Sequence, residues 1–230
     1  MGNDKMQTYF SYANTTAKGI VSQNKLHKHN LTFRETANFF NNKLKLDGNV
    51  NLMVQNIKDR PPSGGFYLTP LVGLYGFPRG TDMSPYRDNF EIYSVERNMN
   101  VQNWYTSTQD FEQNPYWITN RIQSKDKRTR ALASLTASLK LTDWLTLQAR
   151  GNADYTNDKF QQKMYASTAP ALAGNNGRYI DVNHEEFLTY ADFMAMFNHK
   201  FGDFALTGAV GTSINQTTVN SLRIDSKSAS

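Results

Sequence analysis

Residues 129–155 read TRALASLTASLKLTDWLTLQARGNADY, and this stretch decides the fold class. Small or apolar side chains alternate with polar ones on each side of a break at residues 141–144. Successive side chains of a β-strand point to opposite faces, so the alternation predicts two long amphipathic strands joined by a tight turn. The first of these strands presents Ala133 and Leu135 on one face and Ser134 and Thr136 on the other.

The same alternation recurs on both sides of this hairpin. It covers residues 30–40, 43–55, 187–201 and 204–214, and a shorter aromatic run at residues 8–13 adds a seventh strand. Most of these runs have about 11 to 15 residues, where an ordinary globular strand has about 5 to 6. The length is typical of strands that cross a membrane, which need roughly 9 to 11 tilted residues.

The connections between the predicted strands alternate in length. Short turns at one end of a sheet and long loops at the other are typical of a transmembrane β-barrel. We therefore predict an all-β fold, a segment of an antiparallel transmembrane β-barrel with about seven long strands, short periplasmic turns and long extracellular loops. The tight turns are residues 40–43, 141–144 and 201–204, and the long connections are residues 15–28, 58–128 and 157–185.

Alternation alone does not say which face meets water. A soluble β-sandwich buries the apolar face that a membrane barrel turns towards lipid. Charged residues in mid-strand, such as Arg34, Asp47 and Arg150, favour a wet lumen on the polar face. Glu35 does not fit this pattern, because it lies on an otherwise apolar face. A soluble β-sandwich that binds carbohydrate is therefore kept as the alternative.

The composition excludes several classes of protein. No apolar run approaches the roughly 18 residues of a spanning helix, and the mean hydropathy is -0.63. The absence of cysteine excludes disulfides, thiolate metal sites and a cysteine nucleophile. No phosphate-binding loop or zinc-protease motif occurs, and His27 and His29 alone are too few for a metal site. We expect no enzyme activity, no catalytic residues, no metal and no cofactor.

The long connection at residues 58–128 is the best candidate for a binding surface, since connections of this size usually have a function. Its aromatic side chains suit stacking on sugar rings, while its arginine and asparagine side chains suit hydroxyl and carboxylate groups. The alternative is that the aromatic residues only pack the loop against the barrel. The candidate substrate-binding residues are Arg79, Trp104, Asn114, Tyr116 and Trp117.

Basic residues concentrate in the long connections and give the chain a formal net charge of +5. In an extracellular loop these charges would meet the phosphates of lipopolysaccharide. Nucleic acid is a poorer partner, because no helix or compact aromatic and basic sheet is predicted. Ordinary solvated loops are the alternative. The residues concerned are Lys18, Lys25, Lys28, Arg121, Lys125, Lys127, Arg128, Lys159, Lys163 and Arg178.

Several short blocks occur in a definite order along the chain. They are Gly19-Ile20-Val21, Asn30-Leu31-Thr32-Phe33-Arg34, Lys43-Leu44-Lys45-Leu46-Asp47, Phe77-Pro78-Arg79-Gly80, Asn114-Pro115-Tyr116-Trp117, Leu141-Thr142-Asp143-Trp144-Leu145 and Phe201-Gly202-Asp203-Phe204. Each block is weak alone, but in their order and spacing they resemble part of the barrel of SusC/RagA-type TonB-dependent outer-membrane transporters of Bacteroidetes.

The resemblance implies a part of an importer in the outer membrane of a Bacteroidetes-like Gram-negative bacterium. Such an importer takes up glycans, oligosaccharides or peptides with energy relayed by TonB. The implied partners are a SusD-like surface lipoprotein, TonB through a plug region, lipopolysaccharide and the substrate. The plug domain, its TonB box and the remaining strands are not visible in residues 1–230. We therefore expect this chain to be a segment of the barrel domain.

Overall fold

A computed structural model describes residues 2–3, 5–60, 67–106 and 112–227. Residues 61–66 and 107–111 of the predicted long connection lie outside the described residues. The long strands are β2 (Met6–Lys18), β3 (Lys25–Phe39), β4 (Leu44–Lys58), β7 (Ile122–Lys140), β8 (Leu145–Met164), β9 (Arg178–Phe201) and β10 (Phe204–Asp225). The shorter elements are β1 (Gly2–Asn3), β5 (Glu91–Ser94), β6 (Met99–Gln102), α1 (Pro70–Gly76), α2 (Ser84–Asp88), α3 (Pro115–Arg121) and α4 (Pro170–Ala173).

One antiparallel sheet contains all seven long strands. Its order is β1-β2-β3-β4-β7-β8-β9-β10, so each long strand pairs with its neighbour along the chain. Strands β5 and β6 form a separate hairpin. Among the described residues the sheet stays open, with β1 and β10 at its edges. The all-β prediction and the seven predicted strands are confirmed.

Two of the predicted long connections are wrong in extent. Strand β2 continues to Lys18 and strand β3 begins at Lys25, so only residues 19–24 connect them. Strands β8 and β9 likewise leave only residues 165–177 between them. The sequence hid these extensions because the apolar residues change faces there. Phe160 of β8 and Val182 of β9 lie on the opposite face of the sheet from Tyr155, so the alternation seen nearer the tight turns does not continue.

The three tight turns lie where the sequence places them. Residues 40–43 join β3 to β4, with Phe40, Asn41 and Asn42 all in the left-handed region of backbone conformation. In the turn after β7, the backbone N–H groups of Leu141 and Thr142 both donate to the carbonyl of Leu145. Gly202 has a φ of 62° between β9 and β10. All three turns lie at the same end of the sheet.

The two faces of the sheet differ in chemistry. We call the face that carries Leu135 and Leu147 the apolar face, and the face that carries Arg150 and Asp192 the charged face. Leu135 is 55% exposed and no described second sheet packs on it. The two-sheet architecture of the sandwich alternative is therefore wrong for the described residues, because a sandwich buries its apolar face between two sheets. None of the helices in the described residues is long and apolar enough to cross a membrane.

Glu35 finds a partner on the apolar face. The Thr8 hydroxyl of the neighbouring strand donates to Glu35 Oε2 at 2.6 Å. The two residues are direct partners in the register of β2 and β3, which places their side chains on the same face. This contact gives one carboxylate oxygen a partner, while Oε1 is buried without a hydrogen bond to any described residue.

The buried core lies at the end of the sheet opposite the tight turns. It forms where Met164 and Ile180 of the charged face meet Ala173 of α4. Partly buried apolar side chains surround this contact, namely Leu68, Ile122, Phe160, Leu172 and Val182. The connections therefore fold over the charged face at this end and leave the apolar face uncovered.

Candidate functional site

The candidate site is the folded part of the two longest connections, which we call the loop body. It consists of residues 67–106, 112–121 and 165–177. Helices α1 and α3 pack on each other, and each begins with a proline in its first turn, where the missing backbone N–H costs no hydrogen bond. The connection predicted at residues 58–128 is thus structured over much of its length.

Asn114 holds the centre of the loop body. It is fully buried, and its side-chain oxygen accepts a hydrogen bond from the Tyr116 backbone N–H at 2.8 Å, which caps α3. Its amide nitrogen donates to the carbonyls of Tyr86 at 2.8 Å and Asn103 at 2.6 Å. Asn114 therefore joins three separate parts of the loop body.

The two tryptophans among the predicted site residues are also buried. Trp117 is 1% exposed, and its indole N–H donates to the Thr168 hydroxyl at 3.1 Å. Trp104 packs against Phe77 and Tyr86 with ring centroids 5.3 and 5.5 Å away. The alternative reading of the sequence, in which these aromatic residues pack the loop, describes both tryptophans in this structure.

Arg79 and Tyr116 are the predicted site residues that reach the surface. Arg79 is exposed in the turn between α1 and α2, and it makes no ion pair with any described residue. Tyr116 is half-buried, and its carbonyl accepts a hydrogen bond from the Asn120 amide at 2.7 Å. These two side chains are therefore the ones among the five predicted site residues that solvent reaches.

Two buried glutamines that the sequence did not single out connect the long connections. The Gln113 amide donates to the Tyr67 carbonyl at 2.8 Å and its oxygen accepts from the Ala169 N–H at 2.8 Å. The Gln102 amide donates to the Ser167 carbonyl at 2.7 Å. Their partners are backbone groups far away in the sequence, so no local pattern could identify these two residues.

Two polar contacts set the electrostatics of the loop body. The Arg121 guanidinium binds both oxygens of Glu91, at 2.6 and 2.7 Å, and these bonds lower the pKa of the Glu91 carboxyl. Desolvation, together with a hydrogen bond to Glu112, raises the pKa of Tyr105 to about 12. Both contacts hold the connection in one conformation, because each crosses between its segments.

The charged face carries cross-strand pairs of arginine and aspartate. Arg34 binds Asp47 at 2.7 Å on β3 and β4, and Arg128 binds Asp158 at 2.6 Å on β7 and β8. Asp192 also accepts a hydrogen bond from the Tyr190 hydroxyl at 2.6 Å. Such rows of paired charges suit a wet surface, because water and the partner ion both solvate each group. Further pairs are Arg130 with Asp154, Arg150 with Asp192 and Arg178 with Asp225.

The described residues contain no group of three or more histidine, aspartate or glutamate side chains that could hold a metal ion. His27 and His29 share the face of β3 that carries Leu31, and both are exposed. The Tyr12 hydroxyl lies 2.8 Å from His29 Nδ1. The Thr16 hydroxyl lies 3.4 Å from His27 Nδ1, so both histidines have a hydroxyl partner on β2.

An open antiparallel sheet of long strands, apolar on one face and charged on the other, defines a segment of an all-β barrel. Comparison with solved structures supports this fold. The chain superimposes on the RagAB peptide transporter with a TM-score of 0.66 at 13% identity, over 98% of this chain and 24% of that one. For the closed-closed state of the RagAB peptide importer the TM-score is 0.64 at 14% identity, over the same shares.

A further match is the ferric-catecholate import receptor Fiu from E. coli K12 in its open form. The TM-score is 0.54 at 9% identity, over 95% of this chain and 31% of that one. No family model matches the sequence, and the comparison with curated proteins found no match. The chain thus spans about a quarter of the length of the RagAB chains, and the likeness shows a shared fold.

Proposed function

We propose that this chain forms part of the barrel of a TonB-dependent importer of the SusC/RagA type in the outer membrane of a Bacteroidetes-like bacterium. The observation that carries the proposal is the division of one continuous sheet into an apolar face and a face of paired charges. On this proposal the apolar face meets lipid and the charged face lines the lumen. Residues 1–230 then belong to a single barrel domain.

The height of the apolar face supports a position in the membrane. On β8 it extends from Leu145 to Tyr155. Eleven residues at about 3.3 Å each, tilted by about 40°, span about 25 Å along the membrane normal, which is the height of the apolar band of such barrels. Exposed aromatic residues mark both borders, with Trp144 at the tight-turn end and Tyr155 and Phe187 at the other. The length of this apolar face and the aromatic residues at its borders agree with a strand that crosses the membrane once.

The loop body is the proposed surface for substrate and partner. Arg79 and Tyr116 are proposed to contact a glycan, an oligosaccharide or a peptide, while Trp104, Asn114 and Trp117 hold the surface in shape. The RagAB structures are described as a peptide importer, which favours peptides among these substrates. A SusD-like lipoprotein would cover this surface, and TonB would supply the energy. The proposed work is binding and transport, without covalent chemistry.

Single cysteines test the orientation of the faces, since the chain has none of its own. Ala133→Cys and Ser134→Cys change neighbouring residues of β7 that point to opposite faces. With a fluorophore attached in lipid vesicles, the Ala133→Cys label should be quenched by brominated acyl chains. The Ser134→Cys label should be quenched by iodide from the water phase. Equal quenching of both labels by iodide would show that the sheet does not lie in the bilayer.

Uptake by cells that express the full-length protein tests the role of the loop body. We expect Arg79→Ala combined with Tyr116→Ala to lower the uptake of a labelled substrate severalfold. Asn176→Ala, an exposed change in the same loop body, should leave uptake unchanged. Labelled peptides and labelled oligosaccharides are compared in parallel. Unchanged uptake of both substrates by the double variant would refute the assignment of this surface.

A further inference from the structure

Four lysines stand in direct register on four neighbouring strands. Lys18 of β2 pairs with Lys25 of β3, Lys25 pairs with Lys58 of β4, and Lys58 pairs with Lys125 of β7. Just below this row, Lys127 of β7 pairs with Lys159 of β8. Lys163 lies further along β8. We call these seven residues the lysine belt.

All seven side chains point away from the charged face. The strands alternate without interruption, so Lys125 and Lys127 lie on the same face as Leu135. Asp126 between them points the other way and pairs with Arg60 at 3.2 Å. Each belt lysine is exposed. The belt is therefore a continuation of the apolar face beyond its apolar part.

The belt differs from the charged face in its ion pairs. On the charged face Arg128 and Arg130 both have an aspartate partner on β8. Among the described residues, the only ion pair of the belt is that of Lys58 Nζ with Asp59 Oδ2, at 3.6 Å. The six other belt lysines have no acidic partner among the described residues.

The ammonium groups of neighbouring lysines repel each other, and a bound anion would relieve this repulsion. Neighbouring strands are about 4.8 Å apart, and like charges directly opposite each other destabilise a sheet. Four ammonium groups in one row thus favour a bound anion with several negative charges. Lysine suits such a role, because its point charge binds phosphate without the fixed geometry that arginine requires.

The height of the belt identifies the source of the anion. Lys58, Lys127 and Lys159 each lie four residues beyond an apolar-face residue of their own strand, namely Val54, Ala131 and Tyr155. Four residues correspond to about 13 Å along a strand and about 10 Å along the normal of a barrel tilted by about 40°. The polar headgroup layer of one leaflet is about 5 to 8 Å thick. A lysine side chain can bend back over the remaining distance.

We propose that the lysine belt binds the phosphate groups of a phosphorylated lipid, of the lipopolysaccharide type, whose acyl chains lie on the apolar face. The inference rests on the proposed function, since it places the loop end of the sheet at the outer leaflet. The proposed site ends at β9, because the side chains at this height on that strand are acidic and would repel a phosphate group. At this height Glu185 accepts a hydrogen bond from the Asn157 amide at 3.0 Å, and Asp181 accepts one from Gln161 at 3.2 Å.

The test uses the full-length protein in detergent and micelles of lipid A with both phosphates. We expect Lys25→Gln, Lys58→Gln and Lys125→Gln together to weaken binding about a hundredfold at low salt, since each lysine near an anionic surface contributes about fivefold. The matched control changes Lys43, Lys45 and Lys200 to glutamine, which removes the same charge from exposed positions at the tight-turn end. This control should change binding less than twofold.

Three further measurements fix the ligand. Lipid A without phosphates should bind the wild-type protein as weakly as the belt variant binds the phosphorylated form. Inorganic phosphate at 10 mM should not displace lipid A, whereas displacement would assign the belt to free phosphate and overturn the proposal. Equal binding of lipid A by the belt variant and the control would also overturn it. Insertion of all variants into phosphatidylcholine vesicles is measured separately, because failure there would refute the proposed function instead.

Discussion

Replacing Asn114 by alanine should loosen the loop body and leave the sheet intact. The substitution removes the cap on α3 and the two bonds to the carbonyls of Tyr86 and Asn103. Loss of a cap costs about 1 kcal/mol, and each buried group left without a partner costs about 1 to 3 kcal/mol. Because a carbonyl keeps a second acceptor position, we take the lower end and expect about 3 to 4 kcal/mol in total. The Asn114→Ser variant keeps the cap and should recover about 1 kcal/mol of this.

Hydrogen exchange of backbone amides measures this local free energy directly. A loss of about 3 to 4 kcal/mol accelerates exchange about two to three orders of magnitude, since about 1.4 kcal/mol corresponds to a factor of ten. The faster exchange should be confined to α1, α3 and the residues that contact them. Strands β7 to β9 should keep their protection, because their ladders do not depend on Asn114.

Asn176→Ala is the control, since Asn176 is exposed in the same loop body. It should change exchange less than threefold. If Asn114→Ala accelerates exchange less than tenfold, the buried bonds are not what holds the loop body together. If the sheet loses protection equally, the loop body and the sheet unfold as one unit and the separation described above is wrong.

Three further changes probe other parts of the molecule. Leu135→Arg should destabilise the protein in lipid by about 2 to 4 kcal/mol, while Ser134→Arg should cost less than 1 kcal/mol, as measured by urea unfolding in vesicles. Glu91→Gln should cost the loop body about 1 kcal/mol at neutral pH. Since Arg121 lowers the pKa of Glu91, this stabilisation is complete above the ordinary glutamate pKa near 4.3 and is lost as the pH falls through the lowered pKa. The protection of the loop body, taken relative to the intrinsic exchange rate at each pH, should therefore fall in this pH range in the wild-type protein and not in the Gln variant. Trp117→Ala should cost about 3 to 5 kcal/mol by the same measurement, because the side chain is 1% exposed.

The sequence predicted the strands where one face stays apolar and failed where the apolar residues change faces. Residues 129–155 alternate clearly, and the hairpin of β7 and β8 lies there. Beyond Tyr155 the apolar residues Phe160 and Met164 lie on the other face, so the sequence assigned Lys159 and Lys163 to a loop. The structure places them on β8 with their side chains in line with Tyr155. Hydrogen bonding to the neighbouring strands keeps the chain extended there although the apolar residues change faces.

The sequence singled out the connection at residues 58–128 but could not say how its side chains are arranged. Aromatic and asparagine residues marked the connection at 58–128, and the structure folds its described part into the loop body. Composition could not distinguish a side chain that contacts a ligand from one that packs the segment. The structure leaves Arg79 and Tyr116 accessible and buries Trp104, Asn114 and Trp117. Their substrate-binding role stays a prediction that uptake measurements can decide.

The sequence by itself determined the class of fold, because the period of two between apolar and polar residues is a local property of the chain. Only the tertiary structure decided which charges meet. Register brings Arg128 to Asp158 on one face and places Lys58 between Lys25 and Lys125 on the other. Strand pairing joins residues that are tens of positions apart, and a shift of one residue would exchange the faces. The belt of lysines exists for this reason as a surface of the folded sheet and not as a motif of the chain.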